Sequence, residues 1–537
     1  MNNNLTSNSP QKSQQLRPLI ISLILVGGIL LGYFIGRNMS DKTPVFQEYQ
    51  YNKIDDVLDY VEQNYVDSID RNDLENKAIE ELLVDLDPHS YYIPAEETQS
   101  VEEDMQGNFE GIGVQFRILK DTINIENTIE GGPSEKAGVM GGDKIIAVED
   151  SIVAGVGVTN GDVMKLLKGP KGTQVTITIW RSGKEIPFTI TRDKIPLFSV
   201  DAAYMLDEVN GYLKVNRFAA TTYEEFMSGV SFLKDEGMKN LILDLRGNPG
   251  GYLQAAVEMV DEFLEDRKLV VYTEGLHQAK YEYKTSRNGI FEKGKLVILI
   301  DQNSASASEI MAGAIQDWDR GTIIGRRSYG KGLVQNQHAF PDNSALRLTV
   351  ARYYTPSGRS IQKPYEDLEA YYKEVDERFD NGELLGTDST NHQNDSLVYY
   401  TLVEKRPVYA GGGIAPDIFM PLDTTYVNFY VAVLRQYITP FLHTYMLQEK
   451  SSFANYTEDR FIKHYHISDE LLVAFEAYAS QEGFKGEFSE NQVYLSGLKL
   501  LIKANLARLL FDRESFYKVV NSESSIIDKA LEVLMQD

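Results

Sequence analysis

Leu296-Val297-Ile298-Leu299-Ile300-Asp301-Gln302-Asn303-Ser304-Ala305-Ser306-Ala307-Ser308-Glu309-Ile310-Met311-Ala312-Gly313-Ala314-Ile315 runs from an apolar segment, through small residues, into apolar positions at helical spacing. The first five residues suit a short buried strand. The residues after Glu309 are good helix formers at i, i+3 and i+4 spacing. A strand end, a tight turn and a helix start put a hydroxyl on an exposed corner. The first-turn amides of the helix face the same spot. A serine there can attack a carbonyl while nearby N–H groups hold the developing oxyanion. Taken alone, the same residues also read as an ordinary helix cap.

Two other segments raise the catalytic reading. Ser328-Tyr329-Gly330-Lys331-Gly332-Leu333-Val334-Gln335 sets one lysine between glycines, after a short apolar strand over residues 322–325. Leu241-Ile242-Leu243-Asp244-Leu245 is another buried-strand pattern, ending in Arg246-Gly247-Asn248-Pro249-Gly250-Gly251. An amphipathic helix pattern follows from Tyr252 to Glu265, and the glycine turn before it could offer a second oxyanion N–H.

With these residues in view, the chain resembles the C-terminal processing peptidases, the tail-specific or carboxy-terminal serine proteases. That family places a lysine 25 residues after its serine and a glutamine four further on. Here 331 − 306 = 25 and 335 − 331 = 4, so the match falls on Ser306, Lys331 and Gln335. Ser304 and Ser308 do not fit the spacing. The resemblance covers roughly residues 45 to 422. It implies a crotonase/ClpP-like α/β core over residues 194–422, with Ser306 as nucleophile and Lys331 as its base once burial lowers the lysine pKa. Gln335 would hold the lysine. The N–H of Ala307, with that of Gly250 or Gly251, would form the oxyanion hole. No cofactor or metal is implied.

Residues 105–193 resemble a PDZ domain. Gly111-Ile112-Gly113-Val114 fits the loop that receives a peptide carboxylate. Gly132-Pro133-Ser134-Glu135-Lys136-Ala137-Gly138-Val139 and Gly142-Asp143-Lys144-Ile145-Ile146 follow in the order expected, and Asp162 to Leu167 would flank the groove. A peptide would add as a β-strand, its last apolar side chain in a pocket. The implied partners are protein or peptide substrates with free apolar C-termini.

Asp plus Glu is 79 and Lys plus Arg 53, a net charge of −26, which argues against nucleic-acid binding. There are no cysteines, so thiolate chemistry and disulfides are excluded. Residues 1–17 are polar and expected to be disordered. Residues 18–36 carry no charge and approach the ~20 needed to span a bilayer, so a transmembrane anchor is expected there, with a cleaved signal peptide as its rival. The family resemblance would then put the body on the periplasmic side of the inner membrane. Residues 45–104 read as helical, broken at Asp87-Pro88-His89-Ser90. His89 is a tempting base, although a histidine tying down a turn is the simpler reading. Residues 362–408 form an acidic, Tyr-rich insertion that leaves lid, docking arm and loop open. Residues 423–537 read as a helical domain that packs or dimerises, and a homodimer through the helical N- and C-terminal regions is one expected partner. The competing functions are a proteolytically inactive PDZ scaffold and, on fold relation alone, an acyl-CoA enzyme of crotonase type.

Overall fold

A computed structural model describes residues 17–40, 52–386, 397–423, 429–486 and 492–536. The expected disorder of residues 1–17 lies, Arg17 apart, outside them. The chain divides into two compact units, residues 1–78 and 79–537. In the first, helix Lys53–Asn64 is capped by the Asn52 side chain, which accepts the Ile54 N–H at 3.2 Å. Arg71 pairs with Glu62 and Glu75 at 3.2 and 2.7 Å.

The expected transmembrane anchor is overturned. A helix does form at Arg17–Ser40. Yet among the described residues no helix is long and apolar enough to cross a membrane. A span needs about 20 consecutive apolar residues in one helix, and that requirement is not met among the described residues. A membrane partner through residues 18–36 falls with the anchor. The multidomain α/β architecture stands.

The second unit is built on a six-stranded sheet, ordered Val200–Met205, Asn210–Val215, Asn240–Asp244, Leu296–Ile300, Thr322–Gly325 and Ile418–Phe419. The first pair is antiparallel and every later pair parallel. Side chains alternate between its faces. Leu241, Leu243, Ile298 and Ile300 join a cluster with residues of helices Thr222–Asp235, Leu253–Asp261 and Ala307–Asp317. Tyr212, Ile242, Val297, Leu299 and Ile324 pack instead with Ile526, Ile527, Ala530 and Leu534 of helix Ser525–Met535. Covering both faces explains why Leu296–Ile300 is apolar throughout and wholly buried. Parallel strands also exit at one edge. The turns after Asp244, Ile300 and Gly325 are therefore neighbours, although their sequences lie far apart.

A second sheet stands beside this edge. Its long strand Ala345–Tyr354 pairs with Leu333–Ala339 along its length. Opposite that partner, Tyr91–Ile93 takes residues 345–347 and Leu269–Glu274 takes residues 352–354. Tyr91–Ile93 is a strand inside the stretch expected to be helical. Pro88 stops the preceding helix, and Tyr-Tyr-Ile suits a half-buried strand.

The insertion is part of the folded body where it is described. Its helix Leu368–Asp380 buries Tyr371 and Arg378, and the Arg378 guanidinium donates to the carbonyls of Arg327 and Ser328 at 2.7 and 3.3 Å. Residues 387–396 lie outside the described residues.

Residues 108–196 hold a separate core around Ile123, Ile145, Val163, Ile177 and Ile179. Its sheet runs Val114–Leu119, Thr122–Thr128, Lys144–Val148, Gln174–Arg181 and Lys184–Thr191, with Val114–Leu119 at one edge. Strands Asn108–Gly111 and Asp193–Pro196 pair antiparallel at its base. The C-terminal helices form a cluster centred on Phe441, Phe461, Phe475, Leu498, Ile502 and Leu506.

Burial of Ile527 against the outer face of the six-stranded sheet has a measurable consequence. Ile527→Ala should lower the unfolding free energy by about 2–5 kcal/mol. Urea melts check this, and an unchanged midpoint would remove that helix from the core.

Candidate active site

The turn after Leu296–Ile300 is fastened by its own polar groups. Asp301 Oδ1 accepts the N–H of Gly247 at 2.9 Å and of Asn303 at 3.0 Å. Ser304 Oγ accepts the Asp301 N–H and donates to the Leu245 carbonyl, each at 2.9 Å. Ser308 Oγ donates to the Asn248 carbonyl at 3.0 Å. Ser304 and Ser308 are fully buried, so two of the three hydroxyls are spent on backbone. Ser306 alone of the three is partly open. Its backbone is at φ 55° and ψ −114°, a conformation that non-glycine residues rarely adopt. Holding it there costs on the order of 1–3 kcal/mol, so the surroundings must impose it.

Glu309 imposes much of it. This carboxylate is fully buried. Its Oε2 accepts the N–H of Ser306 at 2.8 Å and of Lys331 at 2.9 Å. Its Oε1 accepts the Gly330 N–H at 2.7 Å and the Ser328 hydroxyl at 2.5 Å. Tyr353, buried on the long strand of the second sheet, completes the tie from the opposite polarity. Its hydroxyl lies against the carbonyl of Ser306 at 3.2 Å and against that of Lys331. One side chain thus gathers the amides of both segments and another their carbonyls.

The lysine segment is held from further sides. Ser328 Oγ accepts the Ile414 N–H at 2.6 Å, and Ile414 belongs to the Gly413-Ile414-Ala415-Pro416-Asp417 stretch. Gly330 has φ 90°, and a Cβ there would sit 3.1 Å from Gly413 N. Burial pushes the Lys331 pKa down and Arg347 pushes it the same way, while Glu309 and Asp87 pull it up. Among the described residues no hydrogen bond joins Lys331 Nζ to Ser306 Oγ. The two backbones are brought together and the side-chain tips are left unjoined.

The glycine turn meets the nucleophile closely. A Cβ on Gly250 would lie 2.7 Å from Ser306 Cβ and 2.8 Å from Ala307 N. The Gly250 N–H is already committed, donating to Asn248 Oδ1 at 2.9 Å. Ala307 opens its helix, so its N–H has no intrahelical acceptor. Gly251 is exposed, at φ 142°, and its neighbours make the bridge to Phe218. Gln335 points its amide nitrogen at Thr349 Oγ1, 3.3 Å away, rather than at Lys331.

His89 enters the neighbourhood of the lysine. Its Nε2 is 2.7 Å from the Tyr371 hydroxyl. Burial, then the charges of Lys331 and Lys363, hold its pKa down to about 4, a poor value for a base near neutrality.

The residues Gly111, Ile112, Gly113 and Val114 lie in the other core. Ile112 is buried among its apolar residues. The Ile112 carbonyl accepts the N–H and the hydroxyl of Ser134, at 3.1 and 2.6 Å. Gly113 has φ 73°, and Val114 begins the edge strand. Lys168 caps the end of helix Asn160–Leu167. It pairs with Glu103 at 2.5 Å and lies over the Phe109 ring.

Glu309 and Tyr353 are the site residues that sequence reasoning missed. Glu309 sits in the quoted stretch, three residues after Ser306, where a helix-capping glutamate needs no further role. Tyr353 stands in an ordinary strand pattern.

Residues 210–369 match the model of peptidase family S41, residues 111–191 that of the PDZ domain, and residues 429–512 that of a family of unknown function. The chain is 36% identical over 320 residues to a carboxy-terminal-processing protease of Bartonella bacilliformis, covering 58% of this chain and 73% of that one. It is 31% identical over 386 residues to the carboxy-terminal processing protease CtpA of Bacillus subtilis, covering 68% and 82%. Among solved structures, a photosystem II D1 C-terminal processing protease is 25% identical over 70% of this chain and 87% of its own, with a TM-score of 0.35.

The buried carboxylate gives a pH test. Burial pushes the Glu309 pKa from 4.5 up to about 7, while the Ser328 hydroxyl and the N–H groups of Lys331, Gly330 and Ser306 pull it down. A folded-state pKa above the unfolded one favours the folded chain fully below pH 4.5, and the benefit is lost as pH rises through about 7. Glu309→Gln does not titrate. The stability of wild type relative to this variant should therefore decline across that window in thermal melts. A constant difference would place the Glu309 pKa at its ordinary value.

Proposed function

The chain belongs to the carboxy-terminal processing proteases of peptidase family S41, and on that footing we propose that Ser306 and Lys331 form its catalytic dyad and that its PDZ domain receives the free, apolar C-terminus of the protein being cut. The chain is a serine-type C-terminal processing endopeptidase. The observation that carries the dyad is the double tie of Glu309 and Tyr353, which binds the backbone of one particular serine to that of one particular lysine. Ser304 and Ser308 have no hydroxyl to spare.

The chemistry follows from the residues. A serine hydroxyl needs a base, and only a neutral amine can serve. Burial favours that neutral form of Lys331. As Ser306 Oγ attacks the scissile carbonyl, Lys331 takes its proton. The oxyanion is held by the N–H of Ala307 and of Gly251. Gly250 contributes its bare Cα, which admits the close approach, since its own N–H is engaged by Asn248. Lys331 then gives the proton to the departing amine. A water attacks the acyl-enzyme with Lys331 again as base, restoring Ser306. Catalytic hydrogen bonds commonly tighten only around bound substrate, which suits a resting chain whose Ser306 and Lys331 tips are unjoined.

Substrate choice is assigned to the PDZ edge. Among the described residues Val114–Leu119 has a strand partner on one side only, and helix Asn160–Leu167 is the expected wall of the groove. A peptide adding to that edge would end at Gly111 to Val114, where glycine frees the backbone to turn. Placement of the body outside the cytoplasm is part of this reading. It rests on the family resemblance and invokes no membrane span.

Two measurements test the dyad and the groove. The profile of kcat/KM against pH should rise through a limb below the ordinary lysine value of ~10.4, because only neutral Lys331 is a base and its pKa is lowered. Lys331→Arg should be inactive although the charge is kept, since arginine does not deprotonate. Turnover by that variant rules the dyad out.

Ser306→Ala should bind a peptide with an apolar, free C-terminus as wild type does, and should not cleave it. Loss of the nucleophile typically removes several powers of ten in rate. The amidated peptide should bind much more weakly and be largely spared by wild type. Calorimetry and peptide mass analysis give both readings. Equal treatment of acid and amide would take terminus selection away from the PDZ domain.

A further inference from the structure

We propose that the turn Asp87-Pro88-His89-Ser90 positions the catalytic lysine from outside the core, with Asp87 acting through Thr349 on the amide of Gln335. The proposal rests on the dyad reading above.

Hydrogen bonds run from Asp87 through Thr349 to the Gln335 amide, and the last step, from Gln335 to Lys331, is the part proposed. Gln335 Nε2 donates to Thr349 Oγ1 at 3.3 Å, and Thr349 Oγ1 donates to Asp87 Oδ1 at 3.0 Å. Asp87 is buried. It also accepts the N–H of His89 and of Ser90, at 2.8 and 3.0 Å, and the Ser90 hydroxyl at 2.5 Å. Ser90 Oγ in turn accepts the Thr349 N–H at 3.0 Å. Pairing of Tyr91–Ile93 with residues 345–347 holds the turn at this place.

Polarity gives the chain its purpose. An ionised carboxylate only accepts hydrogen bonds. Thr349 must then spend its single O–H on Asp87, and can only accept from Gln335. Gln335 is forced to turn its nitrogen to Thr349, which leaves its carbonyl oxygen for the other side. The two ends of a glutamine amide have nearly the same shape, so packing alone does not choose between them. A lysine amine needs the oxygen end. Its N–H groups find an acceptor there, and its lone pair stays available to the Ser306 hydroxyl. With the amide reversed, two N–H donors would face the lysine.

A local role for Asp87 is the alternative. Its bonds to His89 and Ser90 are those of any aspartate that closes a turn. The bond to Thr349, 262 residues away in sequence, is not required for that.

The test uses the full chain with a reduced, unfolded protein such as carboxymethylated α-lactalbumin. Thr349→Val keeps the branched shape and removes the hydroxyl. Its kcat should fall about 10- to 100-fold, the usual scale for loss of an orienting partner, with KM within about threefold. Thr349→Ser should recover most of kcat. In a Gln335→Ala background, Thr349→Val should cause no further fall, because the group it orients is gone. Asp87→Asn should resemble Thr349→Val, and if that variant fails to fold the Thr349 series decides alone. Wild-type kcat in Thr349→Val overturns the proposal. So does an equal loss with and without Gln335. Ser306→Ala and Lys331→Arg are run on the same substrate. Cleavage by either means the dyad reading has failed; both inactive beside a fully active Thr349→Val means only this proposal has.

Discussion

The site depends on one buried carboxylate. Glu309 accepts four hydrogen bonds, and two of them come from the backbones of Ser306 and Lys331. A carboxylate without water around it is costly unless its lone pairs are filled. Here the filling is done by the segments that must meet. The need of Glu309 for donors and the need of the turn amides for an acceptor are met by one arrangement. Tyr353 repeats the device with a donor facing two carbonyls. The left-handed backbone of Ser306 is paid for by these bonds.

What Glu309 ties together the sheet has already brought close. Three parallel strands end at one edge, and the turn after each supplies one part of the site: the glycines after Asp244, the serine after Ile300 and the lysine after Gly325. Helices on one face and Ser525–Met535 on the other keep the strands dry. The second sheet then adds what the first lacks. Its long strand carries Tyr353, Thr349 and Arg347, and strand Leu333–Ala339 carries Gln335. The insertion helix reaches the same place through Tyr371 and Arg378.

A function that needs particular residue types at a fixed spacing leaves a legible trace in the chain. Ser306, Lys331 and Gln335 were legible through a resemblance, because their intervals of 25 and 4 residues match those of the carboxy-terminal processing proteases. The strands at 241–245, 296–300 and 322–325 were legible because apolar runs between turn residues have few other uses. The helix over residues 18–36 was also visible, but its reading as a membrane span depended on an apolar length that the described residues do not supply. His89 reads from the sequence as a turn histidine. It does brace a turn, and it also lies within the field of Lys331.

Sequence by itself, through the spacing it shares with a known protease family, determined the candidate nucleophile and base, the α/β class of the core, and the presence of a protease module and a PDZ module. The strand, turn and helix around Ser306 are local pattern, written in adjacent residues. Only the tertiary structure decided which serine hydroxyls are consumed by backbone carbonyls and that Gly250 has no N–H to offer. It alone showed that Glu309 and Tyr353 join the two halves of the site, and that Asp87 reaches Gln335 through Thr349. Those relations pair residues up to 262 positions apart. A hydrogen bond depends on where two groups lie in space, and that is set by the register of strands and the packing of helices rather than by either residue's neighbours along the chain.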